Sequence, residues 1–468
     1  VEFNSLEYVL LLGVTSVLFF GAGYRARLGI LIVASLIFYA AWNVPLVSLI
    51  VVSAAVDYTA ARMLGHHERP AARKAILAVS LVLNLGLLGY FKYANFFLAN
   101  LHAVLGHEAG EAQLLDIVLP PGISFYTFQT MSYTIDVYRR KLSPTTSFLR
   151  FFLYVTFFPQ LIAGPIERAG HLLVQFDHAA TRRFRVENLV IGAQMIVWGM
   201  VKKVLIADHC GRVADRVFSD PAGFDGWSAL VAVYAFTLQI YCDFSAYSEI
   251  ARGSARIFGI DLMRNFDQPY LASNISEFWR RWHISLSNWF RDYVYIPLGG
   301  SQRGRVRTLI NLVITMFLSG LWHGAAWTFV IWGLYHGVLL LITALLGKRI
   351  AKLFGGGTLA SVLGWLLTFH FVVIGWIMFR AADMAQFREV LAAIGGALTS
   401  GSGPTGVQAL FFAGTFAFVG MTALDRRHQL LDRVWSSPIG SVVLATVAIV
   451  AMLLLGLPDG PAFIYFQF

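Results

Sequence analysis

The sequence predicts an all-α polytopic membrane protein, and three observations predict it. Of 468 residues, 57% are hydrophobic and 13% charged, against roughly 45–50% and about 25% in a soluble average; polar side chains are too few to cover the apolar surface. Apolar runs recur from Ser5 to the end of the chain with no long polar stretch. The basic residues, which set the formal net charge at +10, fall in short clusters between those runs. That is the pattern of loops kept on the cytoplasmic side of a bilayer, and it points to lipid rather than nucleic acid as the partner. Length alone suggests roughly three soluble domains, but the unbroken recurrence of apolar runs favours one membrane domain over 1–468.

A crossing needs about 20 apolar residues, and inside hydrocarbon only a helix satisfies its own backbone. Twelve runs qualify: 5–22, 29–43, 45–62, 75–98, 121–137, 187–203, 228–250, 308–322, 325–346, 358–380, 406–424 and 438–457. The first lacks a basic leading region and a small-residue cleavage site, so it reads as a retained helix. Arg25 and Arg27, Arg62 to Lys74 and Arg139 to Lys141 place the loops after runs one, three and five inside. The loop from Leu101 to Pro120 carries Glu108, Glu111 and Asp116 with no Lys or Arg and belongs outside. Arg252 to Arg264, Arg280 to Arg307, Lys348 to Lys352 and Arg426 to Arg433 continue the alternation, which leaves both termini outside.

The stretch Phe151 to Ile166 lies between two basic segments and carries the breaker Gly164-Pro165. It is expected to be re-entrant or interfacial, with protein or water around its irregular backbone. No internal repeat is visible, which argues against an inverted-repeat transporter; the Gly-rich turns at Gly355 to Gly357 and Gly401 to Gly403 are the low-complexity tracts. Cys210 and Cys242 belong to no metal-ligand or disulfide spacing.

Chemistry concentrates between Asp267 and His336. Asn274-Ile-Ser-Glu277 has the form of a helix N-cap with an acidic partner. A helix starting there carries Phe278, Trp282, Trp289 and Tyr293 on an aromatic side and Arg281, Asn288, Arg291 and Asp292 on a polar side, as an interfacial helix does. His283 follows Trp279 by one turn and is expected to face inward. His323 sits in Leu318-Ser-Gly-Leu-Trp-His-Gly-Ala325, at the junction of two apolar runs. Ionisable groups within membrane segments are rare and by default functional. The run before it, Thr308 to Trp322, spans roughly 22 Å against about 30 Å of hydrocarbon, which predicts a recessed position. His336, thirteen residues on, falls roughly 220° around a continuous helix from His323 and reads as packing or support. Asp57 and Asp136 lie near cytoplasmic ends and are expected to snorkel or pair; Asp243 either lines a polar cavity or pairs with an arginine, and Glu249 is the other charge within a run. There is no GxxxxGK[ST] phosphate loop, GxSxG elbow or HExxH helix, so the chemistry is expected to centre on histidine.

At these residues the chain resembles the membrane-bound O-acyltransferase (MBOAT) superfamily, in the branch that serves alginate O-acetylation and D-alanyl transfer to lipoteichoic acid. The strings that carry the resemblance are GISFYTFQTMSYTIDVYRR, FPQLIAGPIERAGHLL, YCDFSAYSEIARG, SEFWRRWHISLSNWFRDYVYIPLGG, LSGLWHGAAWTFVIWGLYHG and the terminal FIYFQF. They span most of the chain in family order. The resemblance implies a ring of about 11–12 transmembrane helices with re-entrant and interfacial helices around a central funnel and tunnel. It divides the chain into N-terminal helices (1–120), a catalytic core (121–350) and C-terminal helices (351–468). It makes His323 the catalytic histidine and associates His283 with the active site.

The implied activity is O-acyl transfer from a cytoplasmic thioester, acetyl-CoA, for O-acetylation of an extracytoplasmic polysaccharide, from the bacterial inner membrane. No permanently bound cofactor or metal is called for. His323 is expected to take the proton of the attacking hydroxyl, and His283 to orient it or bind the donor. Trp322, Asn311 or a backbone N–H would stabilise the oxyanion. Arg280, Arg281, Arg303, Arg305 and Arg307 either attract the phosphates of the donor or report only the cytoplasmic bias. Trp279, Asp292, His336 and Asp243 complete the donor-side and supporting candidates. The implied partner is an extracytoplasmic SGNH-type transferase, docked by the tail Ala462 to Phe468, with Tyr465 a candidate acyl carrier. Two rival classes are a proton-coupled transporter, in which the buried His and Asp form a relay, and a non-catalytic scaffold of a polysaccharide export complex.

Overall fold

The computed structural model describes residues 2–106, 114–353, 357–399, 401–458, 460–461 and 463–464. Glu108 and Glu111 of the outer loop, Gly355, and the tail residues Ala462 and 465–468 with Tyr465 lie outside them. Among the described residues the regular structure is helical throughout. All twelve apolar runs are helices. Nine described helices are long and apolar enough to cross a membrane, whereas those at Leu6–Gly21, Tyr24–Ala40 and Ile123–Tyr138 have 16, 17 and 16 residues. The chain divides into two compact units, Val1–Ile196 with Tyr247–Met263, and Val197–Ala246 with Arg264–Phe468.

The first unit contains α1 (Leu6–Gly21), α2 (Tyr24–Ala40), α3 (Val47–His66), α4 (Pro70–Leu88), α5 (Ala94–Val104), α6 (Ile123–Tyr138), α7 (Phe148–Thr156) and α8 (Ala169–Thr181). Asp57 on α3 is fully buried. It accepts hydrogen bonds from Ser80 Oγ (2.6 Å), Asn84 Nδ2 (2.7 Å) and Thr134 Oγ1 (2.7 Å), so of the two expected outcomes, snorkelling or pairing, it does not snorkel, and its partners are neutral donors that knot α3, α4 and α6 together. Lone pairs buried away from water must find donors inside the protein.

Residues 151–166 are buried throughout, which corrects the interfacial alternative. Beyond α7 the chain leaves helical form, and side chains satisfy its backbone. Ser35 Oγ accepts from Phe158 N (3.0 Å), Tyr247 Oη accepts from Ala163 N (3.3 Å), and the Gln129 and Gln160 amides donate to Tyr154 O. Gly122, at φ +73°, lets Leu161 pass where a β-carbon would stand 2.7 Å from its carbonyl. Irregular backbone at membrane depth survives on this kind of protein cover.

The chain passes from the first unit to the second within α9 (Val186–Val201) and back within α11 (Gly226–Ile257), with α10 (Asp208–Ser219) between them. The second unit adds α12 (Ile275–Arg281), α13 (Ile284–Phe290), α14 (Arg305–His323), α15 (Trp327–Leu353), α16 (Thr358–Arg380), α17 (Met384–Thr399), α18 (Gly406–His428), α19 (Leu430–Ser436) and α20 (Pro438–Leu455).

The single amphipathic helix expected after Asn274 is broken. Asn274 does cap α12, its side chain accepting from Glu277 N at 2.9 Å. Trp282 then turns extended and His283 takes a left-handed conformation (φ 42°, ψ 57°), from which α13 starts afresh. A strand of chain twenty residues earlier holds the corner. Asn265 O accepts from Ile284 N, its Oδ1 accepts from Ser285 Oγ at 2.7 Å, and Asp267 N donates to Arg281 O. Phe278, Trp282 and Trp289 are buried in protein, not laid against lipid.

α14 and α15 form a hairpin joined by residues 324–326. A β-carbon on Gly320 would meet Phe329 O at 2.3 Å, one on Gly333 would meet Met316 O at 2.4 Å, and one on Gly324 would strike the Phe329 ring at 2.1 Å. Small residues let membrane helices approach this closely. α14 has 19 residues, extending the run Thr308 to Trp322 by three residues at its basic end and by His323 at the other, so His323 owes its seclusion to the hairpin rather than to a short helix.

Gly320→Ala is expected to lower the thermal unfolding midpoint of the purified protein, at a cost of about 1–3 kcal/mol for overpacking. Gly414→Ala, where a β-carbon meets nothing within 4 Å, should leave it unchanged; equal midpoints for the two variants would refute the close-packed crossing. At the left-handed corner, His283→Gly should unfold later than His283→Ala by about 1 kcal/mol, since only glycine holds positive φ without a β-carbon penalty; the reverse order would refute the strain.

Candidate active site

His323 is the last residue of α14 and is 4% exposed. The hairpin turn presses it against α15 and α16. Its ring centroid lies 5.0 Å from Trp332 and 5.2 Å from Phe379, both edge-on, and 5.0 Å from its neighbour Trp322. Trp322 in turn lies 5.9 Å from His283, whose other face meets Phe244 at 4.7 Å. On the opposite side, Trp332 lies 4.9 Å from His336, and Trp279 touches both, at 5.6 and 5.1 Å. Three buried imidazoles are thus threaded on one lattice of aromatic rings, in the order His283, Trp322, His323, Trp332, His336.

The 220° separation expected between His323 and His336 holds for one continuous helix. The chain reverses between them at residues 324–326, and His336 ends up one indole away from His323. Burial pushes the His283 imidazole down to about 3, because a protonated ring would have to be desolvated; it is neutral at physiological pH. The indole N–H groups of Trp279 and Trp332 and both ring nitrogens of His336 have no hydrogen-bond partner among the described residues. Leaving such a buried group unpaired costs about 1–3 kcal/mol, so these donors and acceptors are available to a ligand or water that enters.

The remaining sequence candidates lie elsewhere. Asn311 sits twelve residues before His323 on the same helix, about 18 Å away at 1.5 Å per residue. Its amide donates to Gly300 O at 3.0 Å and pins the turn before α14, so its proposed place at the oxyanion is corrected. Arg281 pairs with Glu277 and Asp292 with Arg291. Arg280, Arg303, Arg305 and Arg307 are exposed.

Asp243 pairs with a lysine rather than the expected arginine or an open cavity. Lys203 Nζ lies 2.9 Å from Asp243 and 2.8 Å from Asp208, all three side chains buried. The cluster grips residues near the end of the chain: Lys203 donates to Pro461 O at 2.7 Å and covers the Phe463 ring at 4.4 Å, and Asp243 accepts from Ile464 N at 2.6 Å. The neighbouring Phe244 faces the other way, onto His283. Sequence reasoning missed this cluster and the central place of Trp332. Lys202-Lys203, charges followed directly by apolar residues, signalled the first; nothing set Trp332 apart from a packed aromatic.

The model of the MBOAT, membrane-bound O-acyltransferase family, matches residues 136–382, a span that includes all three histidines. The chain is 42% identical over 373 residues to the "Probable alginate O-acetylase AlgI" of Pseudomonas aeruginosa, covering 78% of this chain and 69% of that one. It is 37% identical over 386 residues to the peptidoglycan O-acetyltransferase of Helicobacter pylori (77% and 72% covered). With the teichoic acid D-alanyltransferase of Bacillus subtilis it shares 28% over 296 residues (60% and 74% covered). A multi-pass helical protein with a buried histidine at a glycine-packed hairpin, matched over more than half its length by this family, belongs to the membrane-bound O-acyltransferases and is an acyltransferase of that family.

Proposed function

We propose that the protein transfers an acetyl group from acetyl-CoA for O-acetylation of an extracytoplasmic polysaccharide of the alginate type, in a bacterial inner membrane and through an SGNH-type partner that carries the ester to the polymer. The observation that carries this reading is the 42% identity to an alginate O-acetylase over 78% of the chain, joined to a buried, ring-lined His323. The peptidoglycan O-acetyltransferase relative, at 37%, favours a cell-wall glycan as the second reading of the polymer.

In the proposed step a nitrogen of His323 accepts the proton of the acceptor hydroxyl as its oxygen attacks the thioester carbonyl. The tetrahedral intermediate collapses with cleavage of the C–S bond, and the imidazolium returns the proton to the departing thiolate. Ester and free thiol are the products. A buried, aromatic-lined base suits this task, because electrostatic help is stronger where water is excluded. His283 positions Trp322 against His323. The Trp332 ring lies 5.0 Å from that of His323, and its indole N–H, without a partner among the described residues, is assigned as the oxyanion donor in place of Asn311.

Cells carrying His323→Ala at wild-type membrane levels should lose polymer O-acetyl ester to background, measured by ester release from purified polysaccharide. Unchanged ester content would sink the mechanism and favour the scaffold reading. Comparing alginate-type polymer with peptidoglycan in the same cells identifies the acceptor. Trp332→Phe keeps the ring and removes the donor. It should lower the transfer rate from labelled acetyl-CoA by about 10²–10³, the usual effect of losing an oxyanion donor, while acetyl-CoA binding stays intact; a wild-type rate would remove Trp332 from that role.

A further inference from the structure

A cavity of about 640 Å³ opens in the second unit between α16 and α18, within the roughly 300–1,000 Å³ typical of small-ligand sites. Its walls are apolar, made by Val362 and Trp365 of α16 and Phe416 and Val419 of α18. The Trp365 indole N–H is committed to Tyr270 O at 2.8 Å, so the ring is held in place by its polar edge. At Gly420 the wall is open, a β-carbon there meeting nothing within 4 Å. Only 11% of the apolar stretch of α18 is buried, so this helix presents most of its surface to whatever surrounds the protein.

One end of the cavity is polar. Thr358 and Ser361 line it from the start of α16, and Arg426 and Arg427 from the last turn of α18. Arg426 is shared with Asp267 at 3.3 Å, and Asp267 is also held by Arg264. Asp425 is turned to the cap of α19, accepting from Leu431 N. The guanidinium of Arg427 has no ion pair or hydrogen bond to protein among the described residues and is exposed. A long apolar trough ending in an uncompensated positive charge complements one kind of molecule abundant around a membrane protein.

We propose that this cavity binds one anionic glycerophospholipid, with an acyl chain along Val362, Trp365 and Phe416 and the phosphodiester at Arg427, Arg426 and Thr358. The positive-inside pattern puts the Arg426 to Arg433 cluster on the cytoplasmic side, where basic residues attract anionic headgroups. A zwitterionic headgroup would leave the charge of Arg427 only partly answered, and the apolar walls exclude a free phosphate as the main occupant. The site stands apart from the acyl-transfer reading, since it uses none of the three buried histidines.

The test is native mass spectrometry of the purified full chain, equilibrated with phosphatidylglycerol or phosphatidylcholine of matched chains. Wild type should retain one phosphatidylglycerol at least fivefold over phosphatidylcholine. Arg427→Gln should bring that preference close to one. Gly420→Leu, which fills the trough without touching its charge, should cut retention of both lipids at least fivefold. Both positions are exposed, and an unchanged thermal midpoint will confirm that the variants fold. Equal retention of the two lipids by wild type, phosphatidylglycerol retention unaffected by both variants, or a mass showing a second copy of the chain in place of lipid would each overturn the proposal.

Discussion

At the crossing of α14 and α15 no side chain fits: β-carbons on Gly320 and Gly333 would both stand closer than 2.5 Å to carbonyl oxygens of the opposite helix. The position of the site follows from that contact. In lipid the hydrophobic effect gives helices no reason to associate, and close packing of backbones takes its place. Once α15 is drawn against α14, the turn at residues 324–326 is forced tight, the Phe329 ring must lie over Gly324, and His323 is delivered into protein rather than to a loop. Trp332 is carried in on the same helix, one turn from His336. A single steric requirement therefore fixes two imidazoles and the indole between them.

Around His323 the protein has built a medium as much as a set of contacts. Trp279, Trp322, Trp332, Phe379 and Phe244 offer ring faces and edges but few hydrogen bonds. Rings of this size are stiff, so the lattice stays open without collapsing onto the polar atoms it surrounds. The same dryness that holds His283 neutral makes any charge that develops during reaction sensitive to the nearest dipole. The first unit solves the opposite problem with Asp57, whose carboxylate is surrounded by three donors and is left nothing to do but hold helices.

Much of this was legible in the residues. Hydropathy located all nine described helices long enough to cross a membrane, because a segment that must satisfy its backbone in hydrocarbon announces itself over about 20 residues. His323 stood out as a polar group in an apolar setting. The misreadings share a cause, which is contact that no helical period describes. Periodicity from Asn274 described one helix, but Asn265 breaks it at His283 from twenty residues away. The angle between His323 and His336 was counted along a helix that reverses. Asn311 looked available until the carbonyl of Gly300 claimed its amide. Lys203 read as the boundary of a crossing, when its partners were Asp208, five residues on, and Asp243, forty residues on.

That lysine cluster also sets a timetable. Asp243 is made 221 residues before Ile464, the residue whose N–H it accepts, and contacts of such separation form late and slowly. A ribosome that has finished α11 has already made a lysine and an aspartate whose last partners do not yet exist. Until Pro461 and Ile464 emerge, the cluster is a set of buried charges short of ligands, which is costly to keep in a dry interior. The second unit is therefore held by a clasp that spans 221 residues, and the lysine and aspartate at its centre are fully liganded only once Pro461 and Ile464 have been made.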